Sequence, residues 1–433
     1  MIKKILLILF SVTFLSQQAF AVTLSEALLQ AYINNPELNA ERENINVSEE
    51  DLKISKSSYL PSVTISGSKS QEDTSKLTNR AGNDVVVNDV DPLIQSITIE
   101  QTLIDFGRDA DVQKNKIGIN LAGIKLLKKE QEILLKAIEA YSGLILANEK
   151  SKINQSNLSL LERQVETDRA RLERGQITLS DLAQSEASFA GAQANFIQSK
   201  NEIISNKLNY ENVIGPISNI DAIEKNFNIN FILPSDLTSA IKISKKNNPE
   251  LIIARLEYEQ SEKDVLISRS DLSPSAKLSY ESSRSEDLSS AYNERNKSIL
   301  KATVSWPIYS GGKNRATLSK SKNIQNRKKL LLDSAIKTND SSVAIAWSTL
   351  QSSKSLLNSV DSQVKAAEIA NEGITVEYES GLGRSTLDVI QSNSILLNAR
   401  TSLANAERNY LLSQFKLLKS IGFLNSSYLK LQQ

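Results

Sequence analysis

Asn34-Asn35-Pro36-Glu37-Leu38 returns as Asn247-Asn248-Pro249-Glu250-Leu251, and around it Leu24-Ser25 and Ala27 return as Leu237-Thr238 and Ala240. The offset of 213 holds to Pro61-Ser62 and Pro274-Ser275, then falls to 205 where Gly107-Arg108 matches Gly312-Lys313. It is 206 at Ala140-Tyr141 against Ala346-Trp347, and 207 at Asp181/Asp388 and Ile214-Gly215/Ile421-Gly422. Two long copies, rather than many short ones, predict a duplicated architecture with pseudo-twofold character and not a solenoid. The expected layout is repeat 1 over 22–215, a linker over 216–235 and repeat 2 over 236–433.

Residues 1–21 run Lys3-Lys4, an apolar stretch from Ile5 to Leu15, then Ala19-Phe20-Ala21. That is the order of a cleavable secretory signal, and the apolar run is too short to span a bilayer. Removing it takes the formal charge from +1 to −1, which gives no electrostatic case for nucleic acid. The chain has no cysteine and no histidine. It therefore has no disulfide, no thiol nucleophile, no Cys or His metal ligand and no Ser-His or Cys-His pair. No carboxylate pair is singled out by its spacing, and no phosphate-cradling Gly-x-x-x-x-Gly-Lys-Ser/Thr segment is present. The expectation is a chain that is not an enzyme and carries no cofactor or metal.

The eight prolines leave 93–215 and 308–433 free of them, so each repeat has a proline-marked first part and a long uninterrupted second part. In the second copy Val343, Ala346, Leu350, Ser353, Leu357, Val360, Val364, Ala367, Asn371 and Ile374 are spaced 3,4,3,4, as a heptad seam requires. After Gly381 and Gly383 a seam restarts at Leu387, Ile390, Ser394, Leu397, Thr401, Ala404, Arg408, Leu411, Phe415 and Leu418. Two helices meeting at a glycine turn predict an antiparallel coiled-coil hairpin over about 313–422. The first copy does likewise around Gly175 over about 108–214. At about 1.5 Å per residue the longest of these helices reaches on the order of 100 Å, and the polar residues between seams rule it out as a membrane span.

Strands are expected at about 60–72 and 93–105, and again at about 273–283 and 298–309, where apolar and polar residues alternate. The polar segments Gln71 to Asp91 and Ser283 to Lys297 are expected to connect them. The alternation fits a soluble sheet on a core or a lipid-facing barrel wall. Four strands cannot close a barrel, so in a membrane several chains must share one. Tyr59, Phe106, Trp306 and Tyr309 cluster at the helix-proximal strand ends, where either an interfacial girdle or ordinary packing accounts for them.

The signal segment, the duplicated helix-strand-strand-helix unit, Asn-Pro-Glu-Leu in both copies and hairpins turning before Asp181 and Asp388 together resemble the TolC family of outer-membrane channel proteins. The resemblance covers essentially the whole mature chain. It implies a mainly α fold with a small β part, in which four strands per chain contribute to a twelve-stranded β-barrel shared by a homotrimer. It also implies an outer-membrane location with a large periplasmic helical tunnel. The function implied is a passive exit duct for efflux or type I secretion, working with a periplasmic adaptor (membrane fusion protein) and an inner-membrane ABC or proton-driven pump. Outer-membrane lipid would surround the barrel, and no nucleic acid is involved. The competing reading is a soluble periplasmic coiled-coil adaptor or scaffold.

By the same resemblance, Tyr378 and Arg384 would tether the inner hairpin to the outer one near Asp181, as a closing network. Asp388 would line the pore constriction, with Gln391 where family members often carry a second aspartate. Gly175, Gly381 and Gly383 mark the turns at the adaptor-facing tips. The second turn is one residue longer than the first, which leaves the register of Arg384 open. An ordinary role is available to each residue: Asp181 and Asp388 also suit helix N-termini, Tyr378 suits tip packing and Arg384 a solvated loop.

Overall fold

The computed structural model describes residues 23–85, 89–225, 231–289 and 292–431; the signal segment lies outside them. The order is α1 (Leu24–Asn34), α2 (Pro36–Ser57), β1 (Ser62–Lys69), β2 (Leu93–Ile104), α3 (Arg108–Glu173), α4 (Leu179–Val213), α5 (Leu237–Asn247), α6 (Pro249–Ser270), β3 (Ser275–Ser289), β4 (Tyr292–Ser305), α7 (Lys313–Glu379) and α8 (Thr386–Ser420). The fold is mainly α with one antiparallel sheet ordered β1-β2-β3-β4. No helix among the described residues is long and apolar enough to cross a membrane. The chain divides into two compact units that each draw on both sequence copies. One holds Ala40–Lys128 and Pro249–Asn339, and the other holds the segments up to Asn39, Lys129–Asn248 and from Asp340.

The first of these units carries the sheet. Cross-strand register aligns Val63, Ile99, Tyr280 and Leu300 in one row, and Ile65 and Ile97 in the next. Leu278 with Ala302, and Ala276 with Val304, continue the same face. Many of these side chains are exposed, Ile65 by 78% and Val304 by 75%. The apolar rows cover about 20 Å along the strands at about 3.3 Å per residue, comparable to the roughly 25 Å apolar band of membrane barrels. The opposite face is mainly polar, with Thr64, Thr98 and Glu281 in one row, which ends on β4 at Ile299, and Ser66, Ser96, Ser283 and Lys297 in the next.

Two details differ from the simple alternation. A bulge between Thr102 and Ile104 leaves Leu103 unpaired and sets Ile104 opposite Ala276, on the apolar face. The β3–β4 hairpin also runs further than expected, pairing through Ser283–Glu286 and Glu294–Lys297, which the sequence suggested as connecting loop. These residues are polar on both faces, so no apolar alternation marks them. The backbone ladder holds them, together with Arg284 bridging Glu286 (2.8 Å) and Glu294 (3.4 Å). At the other end β4 stops at Ser305, because Pro307 cannot continue a ladder. Tyr59, Phe106, Trp306 and Tyr309 are all exposed there, Tyr309 by 86%. The Arg108 guanidinium lies 4.6 Å over the Tyr59 ring and donates to the Thr102 carbonyl at 2.9 Å.

The second unit is helical, and its repeated motifs have repeated jobs. Asn35 closes α1 through its backbone N–H to Ala31, and its side chain caps α2 by accepting from the Glu37 and Leu38 amides; Pro36 occupies the first helical position. Tyr141, fully buried, donates to the Glu224 carbonyl at 2.8 Å beside the Tyr210 ring. Each Ile-Gly pair ends a repeat's last helix. Gly215 (φ 139°) faces Gln30, and Gly422 (φ 87°) lies against the Asn247–Asn248 backbone, where Asn248 donates to the Ser420 carbonyl at 2.9 Å.

In the α7–α8 hairpin all ten predicted α7 seam residues are buried or half-buried, but the α8 seam is set differently near its start. Leu387 and Ser394 are exposed, and Val389, Ser392, Leu396, Ala399, Leu403 and Ala406 face inward instead. Both rows have 3,4 spacing. The small Ala399 packs with Val364 and Ala367, flanked by Leu396 and Leu403, and this close approach selects the second row. Leu411, Phe415 and Leu418 rejoin the predicted seam.

Gly422→Ala forces a Cβ into the Asn247 backbone at a positive φ, so we expect destabilisation by more than about 1 kcal/mol, read from denaturant midpoints. Gly82→Ala, also at positive φ but with open space around it, is expected to cost less.

Candidate functional site

The tips of the two long hairpins are built alike. α3 ends in a turn where the Gly175 amide bonds the Leu172 carbonyl and the Gln176 amide bonds that of Arg171, with Gly175 at φ 71°. α7 ends the same way, with the Gly381 amide on Tyr378 and the Leu382 amide on Glu377. Each following helix starts with a capping box. Thr178 and Asp181 exchange side-chain to backbone bonds at the start of α4, and Ser385 and Asp388 do so at the start of α8. Aligning the boxes resolves the register: the extra residue of the second turn is taken up before Ser385, where Gly383 (φ 80°) supplies a second left-handed position, and Arg384 immediately precedes the cap.

The cap geometry sets the carboxyl groups' titration. Acceptance of the Thr178 amide and hydroxyl holds Asp181 below its ordinary value of 3.8. The Ser385 amide and hydroxyl do the same for Asp388, with a smaller contribution from Arg384. Asp388 and Gln391 are one turn apart on α8, with Gln391 exposed.

The contact between hairpins centres on Asp168, fully buried on α3. Its Oδ1 accepts from the Tyr378 hydroxyl of α7 at 2.5 Å and from Gln164 at 3.0 Å, and its Oδ2 accepts from Ser185 of α4 at 2.5 Å. The Tyr378 hydroxyl also lies 3.0 Å from that of Thr386 on α8. Three helices thus meet on one carboxyl group, and α8 joins them through the Tyr378 hydroxyl. Arg171 stacks its guanidinium 4.1 Å over the Tyr378 ring and donates to the Tyr378 carbonyl at 2.8 Å. Burial, and then the bond to Asp168, push the Tyr378 phenol above its ordinary 10, so it remains a donor near neutrality.

The tether expected near Asp181 is therefore made to Asp168, and Asp181 serves its own helix. Tyr378 takes part; Arg384 does not bridge the hairpins but pairs with Glu377 on its own hairpin at 2.6 Å, with both side chains exposed. Asp168, Gln164, Arg171 and Ser185 were not singled out in the sequence. One signal was present: Leu161, Gln164, Val165 and Asp168 hold inward positions at i, i+3, i+4 and i+7, and an acid on such a stripe needs partners. Around the network a groove of about 930 Å³ is lined by Arg171, Arg174, Asp181, Tyr378, Arg384 and Thr386, among others. No cluster of three metal-ligating side chains occurs among the described residues.

The geometry defines a helical-hairpin chain with an incomplete, lipid-suited sheet, and comparison with known proteins gives it a family. The family model "Outer membrane efflux protein" matches 27–215 and 240–423. The chain belongs to the outer membrane efflux protein family, a family of transport proteins of the outer membrane. It is 26% identical over 418 residues to the outer membrane efflux protein BepC of Brucella suis, covering 96% of this chain and 89% of that one. It is 22% identical to the alkaline protease secretion protein AprF of Pseudomonas aeruginosa, covering 96% and 88%. Its fold matches the Campylobacter jejuni outer membrane channel CmeC with a TM-score of 0.78 at 15% identity, over 92% and 85% of the two chains.

Tyr378→Phe and Asp168→Asn are expected to couple in a double-mutant cycle by about 1.5 to 3 kcal/mol, the range for hydrogen bonds to charged groups. Tyr378→Phe with Lys365→Gln, whose partner Asp361 lies elsewhere on α7, should be additive.

Both cap carboxyls are depressed in the folded state, so their stabilisation is present above about pH 3.8 and is lost as pH falls through the lower folded values. Amide exchange at Thr178 and Ser385, whose N–H groups donate to the two cap carboxylates, corrected for intrinsic rate, should stay protected at about pH 5 and accelerate only below pH 3.8. Asp181→Ala and Asp388→Ala should abolish that acid step at their own tips, whereas Thr178→Ala and Ser385→Ala, which keep the backbone donor, should only weaken it.

Proposed function

We propose that the chain forms a homotrimeric duct in the outer membrane, passive in itself and closed at its hairpin tips. The observation that carries this reading is the sheet. It has two unpaired edges, β1 and β4, and an exposed apolar face, a combination that lipid tolerates only when further copies close it into a barrel. Three copies give twelve strands. Exposed apolar side chains at Ile197, Ile204 and Leu208 of α4 supply surface for the same assembly.

The tips would be the gate. Tyr378, Asp168 and Arg171 form the closing network between hairpins, with Thr386 and Ser185 as supports. Arg384 braces its own turn through Glu377, and Asp181 braces α4. Asp388 and Gln391 line the constriction, so that a threefold ring of carboxylates attracts cations. Gly175, Gly381 and Gly383 shape the tips that a periplasmic adaptor would engage, while an inner-membrane pump supplies the energy. The relatives' names span efflux and protease secretion, and the cargo would follow from the pump.

The test is planar-bilayer conductance of the purified mature protein under a salt gradient. We expect small, cation-preferring conductance, a weaker preference in Asp388→Ser, and several-fold larger conductance in Tyr378→Phe with Arg171→Ser. An assembled double variant with wild-type conductance would sink the gate, and a folded protein that never conducts would sink the duct.

A further inference from the structure

Charge on the polar face of the sheet is distributed unevenly. Register places Glu100 on β2, Lys277 and Glu281 on β3, and Arg295, Lys297 and Lys301 on β4 of that face. Lys277 is neutralised by Glu100 at 2.9 Å. Lys301 stands opposite Ser279, Lys297 opposite Ser283 and Arg295 opposite Ser285, while Glu281 stands opposite Ile299. No carboxylate is therefore set directly across from any of the three β4 cations, and all three side chains are exposed. The remaining charges, three cations against Glu281, leave a surplus of +2 per chain on a chain whose mature net charge is −1.

The opposite face behaves differently. Its Arg284 is bridged to both Glu286 and Glu294. A surface serving only solubility mixes both signs, as that face does. Serine, threonine and lysine facing each other across a sheet, with cations outnumbering acids, are what an aqueous passage for anions requires.

We propose that the polar face of the sheet is an anion-attracting section of the passage, with Lys297 and Lys301 as its determinants, so that this section favours negatively charged cargo. This rests on the reading that the polar face lines the lumen. Three copies bring the cations of neighbouring sheets into one enclosed space, where low-dielectric walls focus their field. The section then has the opposite sign to the Asp388 ring. The narrow ring governs selectivity while it is charged, and the sheet governs it when the ring is neutralised.

Two measurements test this. In bilayers at low ionic strength, where screening is weakest, the reversal potential of Asp388→Ser should change sign to anion preference, and adding Lys297→Glu with Lys301→Glu should return it to cation preference. A potential in the Asp388→Ser background that ignores both lysines overturns the proposal. The second needs no conduction. The chain has no cysteine, so Thr303→Cys on the polar face gives a single thiol. An anionic methanethiosulfonate should label it several-fold faster than a cationic one in outer-membrane vesicles, and the ratio should invert with Lys297→Glu and Lys301→Glu. Equal rates overturn the charge assignment while leaving the duct intact. A thiol that reacts with neither reagent overturns the lumen itself, and the duct with it. Lys297→Gln with Lys301→Gln should abolish the preference without inverting it, and serves if the glutamates impair assembly.

Discussion

The constraint on which the rest depends is that a β-sheet in lipid must have no edges. Four strands with unpaired groups along β1 and β4 and an apolar face on one side are stable in hydrocarbon only as part of a closed ring. The duplication supplies the minimum for this: each copy gives one pair of strands, and the β2–β3 pairing joins the copies. Other details of the sheet serve the same end. The bulge at Leu103 keeps Ile104 on the apolar face, and the long β3–β4 hairpin becomes polar on both faces once past the apolar rows.

Asp168 does for the hairpins what the ladder does for the sheet. An apolar residue there would pack without preference for a partner. A buried carboxyl must find donors, and it takes one from its own helix, one from α4 and one from α7. The cost of leaving any of these unmade in a low-dielectric site makes the arrangement specific. Arg171 adds a contact on the other side of the same tyrosine, so Tyr378 is gripped at its hydroxyl, ring and carbonyl.

How far this could be read from sequence follows the range of each signal. Periodicity and glycine placement are local, and they located the hairpins, their turns and the α7 seam. Repetition is also visible along the chain, and it paired Asp181 with Asp388 and Gly215 with Gly422. Choices between two equally periodic rows are not local: α8 offers Leu387-Ile390 and Val389-Ser392 with the same spacing, and only the small surfaces of Val364, Ala367 and Ala399 decide. The partner of Tyr378 is 210 residues away. Its position was legible as a misplaced acid on an apolar stripe, but its pairing was not. The β3–β4 extension was hidden for a different reason, since a strand polar on both faces has no alternation to detect.

The polar content of the hairpins has one further consequence. Asn371 donates to Ser392 and Asn393 inside the α7–α8 seam, about two turns from Tyr378, so the buried interface near the tip is fastened by directional bonds at two levels. A seam of leucines would hold more tightly and slide more easily, because apolar contact is indifferent to register. Hydrogen-bonded pairs are each weak, about 1 kcal/mol net for neutral groups, but they fail abruptly when their geometry is lost and can be replaced by bonds to water. That combination gives an interface with discrete made and unmade states, which is what a gate needs if a partner's binding energy is to switch it. Toward the far end of α8 the seam turns to Leu411, Phe415 and Leu418, all buried, and has no such alternative. If the tips are the gate proposed above, the capacity to open is concentrated in the residues within a few turns of Gly175 and Gly381, where the buried contacts are directional hydrogen bonds.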